Sequence, residues 1–180
     1  MKVEIRPATL ADIPATTSIY RPAVLTGTAS FELEPPGEDE MRRRWEAIAA
    51  GGFPYLVAQS GERVVGYGYA SAYRTRPAYR FSVENSVYIA PDCYRQGLGR
   101  KLLQALIAEC TERGFRQMIA VIGDSGQRAS IGLHRALGFE LSGTIHSVGF
   151  KHGRWLDTVI MQRALGEGDR TAPAGSGGAN

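Results

Sequence analysis

Residues 87–100 read Val-Tyr-Ile-Ala-Pro-Asp-Cys-Tyr-Arg-Gln-Gly-Leu-Gly-Arg, and they decide the fold. Residues 87–89 are β-branched or aromatic and predict a buried strand, which Pro91 ends because proline has no backbone N–H to donate to a sheet. Beyond Gly97 and Gly99, apolar residues recur at helical spacing. They are Leu98, Leu102, Leu103, Leu106 and Ile107. The stretch therefore predicts a strand, a glycine-rich loop and a helix.

The glycine-rich loop has a chemical interpretation. The first turn of a helix leaves backbone N–H groups unpaired and carries about half a positive charge, so glycines there let a pyrophosphate approach these donors. The spacing lacks the third glycine of a dinucleotide-binding fingerprint and the Lys-Ser/Thr of a P-loop. The Gly-x-Gly pattern alone therefore leaves two interpretations open, an anion-binding site or a tight turn from strand to helix.

Length and composition predict one globular domain. The 180 residues are 43% hydrophobic and 22% charged, with a formal net charge of +3, which is enough for a sizeable core. So mild a charge does not require a nucleic-acid partner, but it suits an anionic cofactor. Cys93 and Cys110 lack the spacing of a metal site, and the sequence has no apolar leader or long apolar span. We therefore expect a cytoplasmic protein with no metal and no membrane partner.

Hydrophobic periodicity predicts strands and helices along the chain. Thr9 and Asp12 have the spacing of a capping box, so we expect a helix to begin there. The arginines at 42–44 lie in a predicted helix and are expected to face solvent, and residues 167–180 are expected to be disordered. Strands are predicted at 2–6, 55–58, 64–72, 82–89, 117–123, 139–150 and 155–163, and further helices at 38–50, from the glycine loop to 112, and at 130–137.

Two loops suit the lining of a cleft. Residues 21–36 have no clear period, so they form either such a loop or a second helix that ends in a polar turn. Residues 73–81 combine three arginines with two tyrosines. Because a guanidinium group can pair with a carboxylate through two hydrogen bonds, this loop suits an acidic ligand; the alternative is an ordinary solvated loop.

Glu84 and His134 are candidates for proton transfer. Glu84 lies in a predicted strand on the face opposite to Val87, where partial burial would raise its pKa and make it a better base near neutral pH. The alternative is a carboxylate paired with a nearby arginine. His134 falls on a predicted helix, where an isolated histidine is more often a packing or surface residue than a catalytic one.

These features together resemble the Gcn5-related N-acetyltransferase (GNAT) superfamily over residues 2–165. The acetyl-CoA loop of that family follows Arg/Gln-x-x-Gly-x-Gly/Ala, which residues 94–99 match except at Tyr94, where the family has Arg or Gln. Residues 137–139 match its Leu-Gly-Phe. Because backbone groups do most of the phosphate binding, the resemblance implies an acetyl-CoA site despite the tyrosine.

Five further stretches are similar to one branch, the phosphinothricin and methionine sulfoximine or sulfone N-acetyltransferases. They are Thr-Ala-Ser-Phe-Glu at 28–32, Arg-Pro-Ala-Tyr-Arg at 76–80, Val-Glu-Asn-Ser-Val-Tyr at 83–88, Ala-Val-Ile-Gly at 120–123 and Gly-Phe-Lys-His-Gly-Arg-Trp-Leu-Asp at 149–157. The resemblance implies acetylation of the α-amino group of a small amino-acid-like substrate, by direct transfer in a ternary complex. It also implies a homodimer.

The resemblance implies an α/β fold, in which a central mixed, mostly antiparallel sheet splays at a parallel strand pair and carries helices on both faces. Residues 1–165 would form the N-acetyltransferase domain and residues 166–180 a disordered tail. Acetyl-CoA would be held by Val87, Tyr88, Ile89, Arg95, Gln96, Gly97, Leu98, Gly99, Arg100 and Gln127. The amino-acid pocket would comprise Phe31, Glu32, Arg74, Arg76, Pro77, Ala78 and Tyr79.

The resemblance also implies roles in the reaction. Glu84, directly or through a water molecule, would take the proton of the substrate ammonium group. A backbone N–H of Tyr88 or Ile89 would stabilise the developing oxyanion. Many family members have a tyrosine five residues before the Phe of Leu-Gly-Phe; His134 stands there and becomes the candidate general acid or second base.

Other functions remain open on the sequence. Tyr94 departs from the family pattern, and so does Gln127, which precedes Arg-Ala-Ser at 128–130 where relatives have an Asn before Ala-Ser. These departures would also suit a catalytically weak acyl-CoA-binding module with a regulatory role. An enzyme of the same superfamily that acts on another small amine, such as a polyamine, or on a ribosomal protein is a further possibility. A polyamine needs an acidic cleft, which the arginines of residues 73–81 disfavour.

Overall fold

The computed structural model describes residues 3–174, and in that part of the chain it contains seven strands and four α-helices. The strands are β1 (Glu4–Pro7), β2 (Tyr55–Ser60), β3 (Arg63–Ala72), β4 (Ser82–Ile89), β5 (Gln117–Gly123), β6 (Glu140–Lys151) and β7 (Arg154–Ala164). The helices are α1 (Ile13–Leu25), α2 (Glu38–Ala50), α3 (Leu98–Glu112) and α4 (Arg128–Ala136). None of the helices described is long and apolar enough to cross a membrane.

The strands form one mixed sheet in the order β1-β2-β3-β4-β5-β7-β6. Every neighbouring pair is antiparallel except β4 and β5. That parallel pair is short, because it begins at Ser82 opposite Gln117 and ends at Asn85 opposite Ala120, although both strands continue. The sheet therefore splays beyond Asn85, which confirms the predicted fold class.

Helices cover both faces of the sheet. Tyr67 of β3 stacks on Tyr88 of β4, and Tyr20 of α1 meets Tyr88 edge-on with ring centroids 4.8 Å apart. Gly68 lies on the other face, where an added Cβ would stand 3.0 Å from Leu106 of α3. Because successive residues of a strand point to opposite faces, α1 and α2 lie on one side of the sheet and α3 and α4 on the other.

The first helical segment is held by the predicted capping box. Thr9 and Asp12 make both reciprocal hydrogen bonds, and a 3₁₀ turn at Leu10–Asp12 leads into α1. Arg6 donates hydrogen bonds to both oxygens of the Asp12 carboxylate at 2.8 Å. The helix ends at Leu25, so residues 26–37 form a loop, and the alternative of a second helix in this segment is wrong beyond Leu25.

The end of the described chain stays close to the domain. Leu165 is buried, and its backbone N–H donates to the Arg116 carbonyl. The Arg116 side chain in turn donates to the Gly168 carbonyl and the Thr171 hydroxyl. The domain boundary at residue 165 stays a prediction, and residues 175–180 of the predicted disordered tail lie outside the described residues.

Candidate functional site

A cleft of about 640 Å³ opens where β4 and β5 separate. Its walls come from the splayed strand ends, the glycine loop before α3, the first turns of α4 and one side of α1. The residues that line it are Ile19, Ala23, Ala29, Asn85, Ser86, Val87, Tyr88, Ile89, Cys93, Tyr94, Arg95, Gly97, Leu98, Gly99, Arg100, Ala120, Val121, Ile122, Gly123, Gln127, Ala129, Ser130, Leu133 and His134.

Alternate residues of β4 direct their backbone groups toward β3. Tyr73 N–H donates to the Ser82 carbonyl (3.3 Å) at one end of the ladder, and Ala90 N–H donates to the Val65 carbonyl (2.9 Å) at the other. In an antiparallel pair the residues that exchange hydrogen bonds recur at every second position. The even-numbered residues of β4 therefore pair with β3, and the odd-numbered residues face β5.

The splay leaves two of these odd-numbered residues facing the cleft. The N–H groups of Val87 and Ile89 point toward β5 beyond Asn85, where the pairing ends. The backbone of Tyr88 instead pairs with Tyr67 of β3. Of the two oxyanion donors considered from the sequence, the register therefore favours Ile89.

The glycine loop presents further donors to the same cleft. Gly97 has φ +75°, and an added Cβ there would meet nothing within 4 Å, so the positive φ accounts for the glycine. The first hydrogen bond of α3 runs from Lys101 N–H to the Gly97 carbonyl (3.2 Å). The N–H groups of residues 98–100 precede that bond and lie at the positive end of the helix dipole.

Side chains around the loop add positive charge. Arg95, whose φ is +61°, and Arg100 both line the cleft. Gln96 does not line it, although the family resemblance placed this residue at the cofactor, and Tyr94 stands exposed at the mouth. One end of the cleft therefore offers N–H groups and arginines to a pyrophosphate. The other end offers free strand N–H groups to a thioester carbonyl. This arrangement fits acetyl-CoA.

His134 lies in the inner wall of the cleft and is almost fully buried. Its Nδ1 is 2.8 Å from the Ser130 carbonyl oxygen, and its Nε2 is 3.0 Å from Oδ1 of Asn85. Phe139 meets the ring edge-on. Burial lowers the pKa of His134, and the Ser130 carbonyl acts in the opposite direction.

Glu84 points to the other face of the sheet from Asn85, its neighbour on β4. It is absent from the lining of the cleft and lies on the side that carries α1 and α2. Burial raises the pKa of Glu84, and Arg74 opposes this shift. Glu84 and His134 therefore approach the splay point from opposite faces of the sheet.

The loop at residues 26–37 closes the face on which Glu84 lies. The ring of Phe31 sits between Gly123 of β5 and Gly149 of β6, and a Cβ at either glycine would collide with it. Glu32 accepts hydrogen bonds from Arg44 (2.7 Å) and Tyr20 (2.8 Å), which lower the pKa of its carboxyl group against the effect of burial. Of the arginines at 42–44, which were expected to face solvent, Arg42 and Arg43 are exposed, whereas Arg44 is half-buried and paired with Glu32.

A series of hydrogen bonds connects the loop at residues 26–37 to the cleft between β4 and β5. Asp124, with φ +73°, accepts hydrogen bonds from Gly126 N–H, from the Thr28 hydroxyl and from Arg154, and these bonds lower the pKa of its carboxyl group. The Gln127 amide donates to the Thr28 hydroxyl at 2.9 Å. Gln127 lines the cleft, but its amide N–H₂ group is engaged with the loop.

The cationic loop lies apart from the cofactor cleft. Residues 74–80 are exposed, with a 3₁₀ turn at Pro77–Tyr79, and Tyr79 meets Tyr73 edge-on. The guanidinium carbon of Arg74 lies 4.5 Å from the centroid of the Tyr73 ring. The positive charge of Arg74 opposes the rise that burial causes in the pKa of Glu84. None of the predicted amino-acid pocket residues lines the cleft between β4 and β5. They are Phe31, Glu32, Arg74, Arg76, Pro77, Ala78 and Tyr79.

Sequence reasoning missed four polar residues that organise the site. Neither Asn85 nor Asp124 was assigned a role from the sequence, although an amide in an apolar strand and an acidic residue at a strand end were available signals. Arg44 looked like part of a surface run. Lys151, almost fully buried, donates to the Ser30 carbonyl at 2.7 Å, and nothing in the local pattern predicted that contact.

A model of the acetyltransferase (GNAT) family matches residues 20–139. The chain is 56% identical to a phosphinothricin N-acetyltransferase of Alcaligenes faecalis over 162 residues, which cover 90% of this chain and 82% of that protein. It is 45% identical to an L-methionine sulfoximine/L-methionine sulfone acetyltransferase of Pseudomonas paraeruginosa, with 96% and 100% covered.

A solved structure gives a similar result. The fold superposes with a TM-score of 0.94 on a GNAT superfamily phosphinothricin acetyltransferase from Sinorhizobium meliloti in complex with AcCoA. The two chains are 51% identical, and the match covers 98% of this chain and 95% of the other.

Proposed function

The chain belongs to the acetyltransferase (GNAT) family, and from that premise we propose that it transfers the acetyl group of acetyl-CoA to the α-amino group of a small amino-acid-like substrate. Phosphinothricin, L-methionine sulfoximine and L-methionine sulfone are the candidates that the related proteins suggest. One observation carries the proposal. The gap between β4 and β5 has Glu84 on one face and His134 on the other, so amine and thioester can meet there from opposite sides.

The amine side of the reaction depends on Glu84. A substrate ammonium group must lose a proton before its nitrogen can form a bond to the acetyl carbon. Because burial raises the pKa of Glu84, its carboxylate is a stronger proton acceptor than an exposed one, and the positive charge of Arg74 opposes part of that rise. Glu84 takes that proton, directly or through a water molecule.

The thioester side depends on β4 and α4. Acetyl-CoA, when bound, supplies an activated acetyl group. The Ile89 N–H faces the gap and donates to the carbonyl oxygen as negative charge develops there. As the carbon–sulfur bond breaks, His134 gives a proton to the departing thiolate from the cleft wall.

A CoA-release assay tests this function. Acetyl-CoA is supplied with phosphinothricin, methionine sulfoximine or methionine sulfone, and the free thiol is measured. Release that depends on at least one amino acid is the expected result. Acetyl-CoA binding by calorimetry without release for any of them would instead favour the regulatory acyl-CoA-binding module. Release with a polyamine or with a peptide that has a free N-terminus, and with none of the three amino acids, would favour an enzyme that acts on another amine.

We also propose that two copies of the chain associate through β6. This strand is the edge of the sheet, runs for 12 residues and exposes apolar side chains, among them Leu141, Ile145, Val148 and Phe150. A long apolar edge strand invites pairing with another strand. A second copy related by a two-fold axis offers the same strand in antiparallel orientation, which makes the interface self-complementary.

A cytoplasmic location is part of the proposal. Cys93 and Cys110 are both free thiols and both buried. Unpaired cysteines are typical of a reducing compartment. Fractionation of cells that express the protein tests this location, and recovery in the cytosolic fraction is expected.

A further inference from the structure

The nearest neighbour of each ring nitrogen of His134 is an oxygen that can only accept hydrogen bonds, whereas the Ser130 hydroxyl lies farther from Nδ1, at 3.5 Å. Nδ1 lies 2.8 Å from the Ser130 carbonyl oxygen and Nε2 lies 3.0 Å from Oδ1 of Asn85. A neutral imidazole carries one N–H and satisfies one of these contacts, whereas the imidazolium ion carries two and satisfies both. The hydrogen-bonding environment therefore favours the charged ring.

The orientation of the Asn85 amide is fixed by the adjacent strand. Its Nδ2 donates to the Ile119 carbonyl of β5 at 3.1 Å. A carbonyl oxygen cannot donate, so the nitrogen end of the amide must face Ile119 and the oxygen end must face His134. Rotation of the amide would place two acceptors together at Ile119. Asn85 is itself almost fully buried, which makes such an unsatisfied contact costly.

Burial acts against the charged ring, and in the part of the chain that the structure describes no ion pair offsets it. His134 faces the carbonyl and hydroxyl groups of Ser130 on its own helix, Asn85 of β4 and the Phe139 ring. Among residues 3–174, no charged side chain contributes to the shift in the pKa of His134, which comes from burial and from the hydrogen bond with the Ser130 backbone. Glu84 points to the opposite face of β4. The Asn85 oxygen is therefore the side-chain group placed to hold the second ring proton.

We propose that Asn85 is a positioning residue whose fixed amide oxygen keeps a proton on Nε2 of His134, so that the ring enters the reaction as a cation. In the transfer the substrate nitrogen bonds to the acetyl carbon, the carbon–sulfur bond breaks, and the thiolate takes this proton. Glu84 takes the ammonium proton before the attack and releases it to solvent, and it takes the second nitrogen proton as the amide forms; solvent later restores the ring proton. The delivery step rests on the proposed function, whereas the protonation state of the ring does not.

Nuclear magnetic resonance titration of the ring tests the inference without any assay of activity. The His134 signals are assigned by their loss in His134→Gln. We expect Asn85→Leu to lower the His134 pKa by about one unit or more, the scale of a hydrogen bond to a charged group. Asn85→Asp should raise it, because a carboxylate stabilises the cation. Gln104→Leu, the same kind of change at an exposed amide of α3 outside the cleft, is the matched control and should leave this pKa unchanged.

The two Asn85 variants shift the pKa in opposite directions, so the test survives if Asn85→Leu fails to fold. A pKa that stays at the wild-type value in the variants that fold overturns the inference. Kinetics give a second readout, because the limb of the kcat profile that belongs to His134 should move with the measured pKa. A purely structural role would lower kcat equally at every pH. Loss of CoA release with the predicted pKa shifts intact would count against the proposed function instead.

Discussion

Glu84 differs from the exposed carboxylates of the chain because burial raises its pKa while Arg74 lies close by. We expect Glu84→Gln to lower kcat by about 10² or more, the usual contribution of a general base, with little change in acetyl-CoA affinity. In the proposed reaction Glu84 acts as the carboxylate. The wild-type kcat should therefore fall as the pH drops through the raised pKa, and the variant should lack that limb.

The control for this prediction is the same change at Glu62, an exposed residue in the turn between β2 and β3. Steady-state rates are measured over a range of pH for the wild type, Glu84→Gln and Glu62→Gln. Acetyl-CoA binding is measured separately for the same three proteins. A loss of less than threefold in Glu84→Gln would remove Glu84 from proton transfer.

Arg76 belongs to the exposed loop and stays a predicted ligand of the substrate carboxylate. We expect Arg76→Ala to raise the KM for the amino acid about tenfold or more, since a charge-assisted hydrogen bond is lost. The KM for acetyl-CoA should not change, because the loop does not line the cofactor cleft. Arg80→Ala is the matched control, as that guanidinium covers the Phe81 ring. Equal KM values in the two variants would place the carboxylate site elsewhere.

At the scale of elements, the regular segments were predictable and the contacts between them were not. Helix α2 and strands β4 and β5 begin and end at the predicted residues, because periodicity and flanking breakers are local properties. The ion pair of Arg44 with Glu32 and the bridge from His134 through Asn85 to Ile119 join residues far apart in sequence. Local pattern carries no information about such partners.

The family motifs supplied what local pattern could not. They indicated that the glycine loop binds a cofactor and that Glu84 and His134 belong to one site, which periodicity alone left open. They did not indicate which backbone donor faces the gap. That choice depends on the register of β3 and β4, since the even-numbered residues of β4 are taken up by β3.

The packing of Phe31 against two glycines ties the loop at residues 26–37 to the sheet. In Gly149→Ala the new methyl group would overlap the Phe31 ring, so we expect the loop to shift. The free energy of unfolding should fall by about 1–3 kcal/mol, the usual cost of overpacking a core. The KM for the amino-acid substrate should rise. Gly143→Ala on the same strand is the control, because an added Cβ there meets nothing within 4 Å.

A second substitution identifies the cause of this effect. Phe31→Ala in the Gly149→Ala background should restore part of the lost stability, because it removes the ring that the methyl group meets. Denaturant unfolding of the single and double variants measures the coupling. Strictly additive losses would contradict the proposed contact.

The pair formed by Arg6 and Asp12 at the start of α1 gives a pH-dependent prediction. The Arg6 hydrogen bonds hold the pKa of Asp12 below its usual value. The ionised carboxyl group therefore stabilises the fold above its unfolded pKa, about 3.9, and this contribution is lost as the pH falls through the folded value. Asp12→Asn should lower the unfolding free energy by about 1–3 kcal/mol at pH 7 and by progressively less below pH 4 or so. Asp169→Asn, an exposed carboxylate, is the control in the same denaturant titrations.

Over the whole molecule, the sheet has two different edges. Strand β1 has four residues, whereas β6 has 12 and is exposed along most of its length. Its bulge is held by Asp157, which accepts a hydrogen bond from Ser147 N–H at 3.0 Å. The exposed rings of Phe150 and Trp155 pack together at the tip of the hairpin. A short edge resists pairing and a long apolar edge favours it, so the asymmetry of the sheet supports the proposal that association occurs at β6.

The proposed dimer gives the last prediction. Stable interfaces bury roughly 1,200–2,000 Å² of surface, which an edge strand of this length together with its apolar side chains can supply. The wild-type protein should therefore elute at about twice the chain mass of 19.5 kDa in size-exclusion chromatography with light scattering. Ile145→Lys should shift it toward the mass of one chain, because two copies would bring like charges together at the edge. Leu10→Lys, which charges an equally exposed apolar residue beyond β1 at the opposite edge, should leave the mass unchanged. A mass of one chain for the wild type, or equal effects of the two lysines, would rule out association through β6.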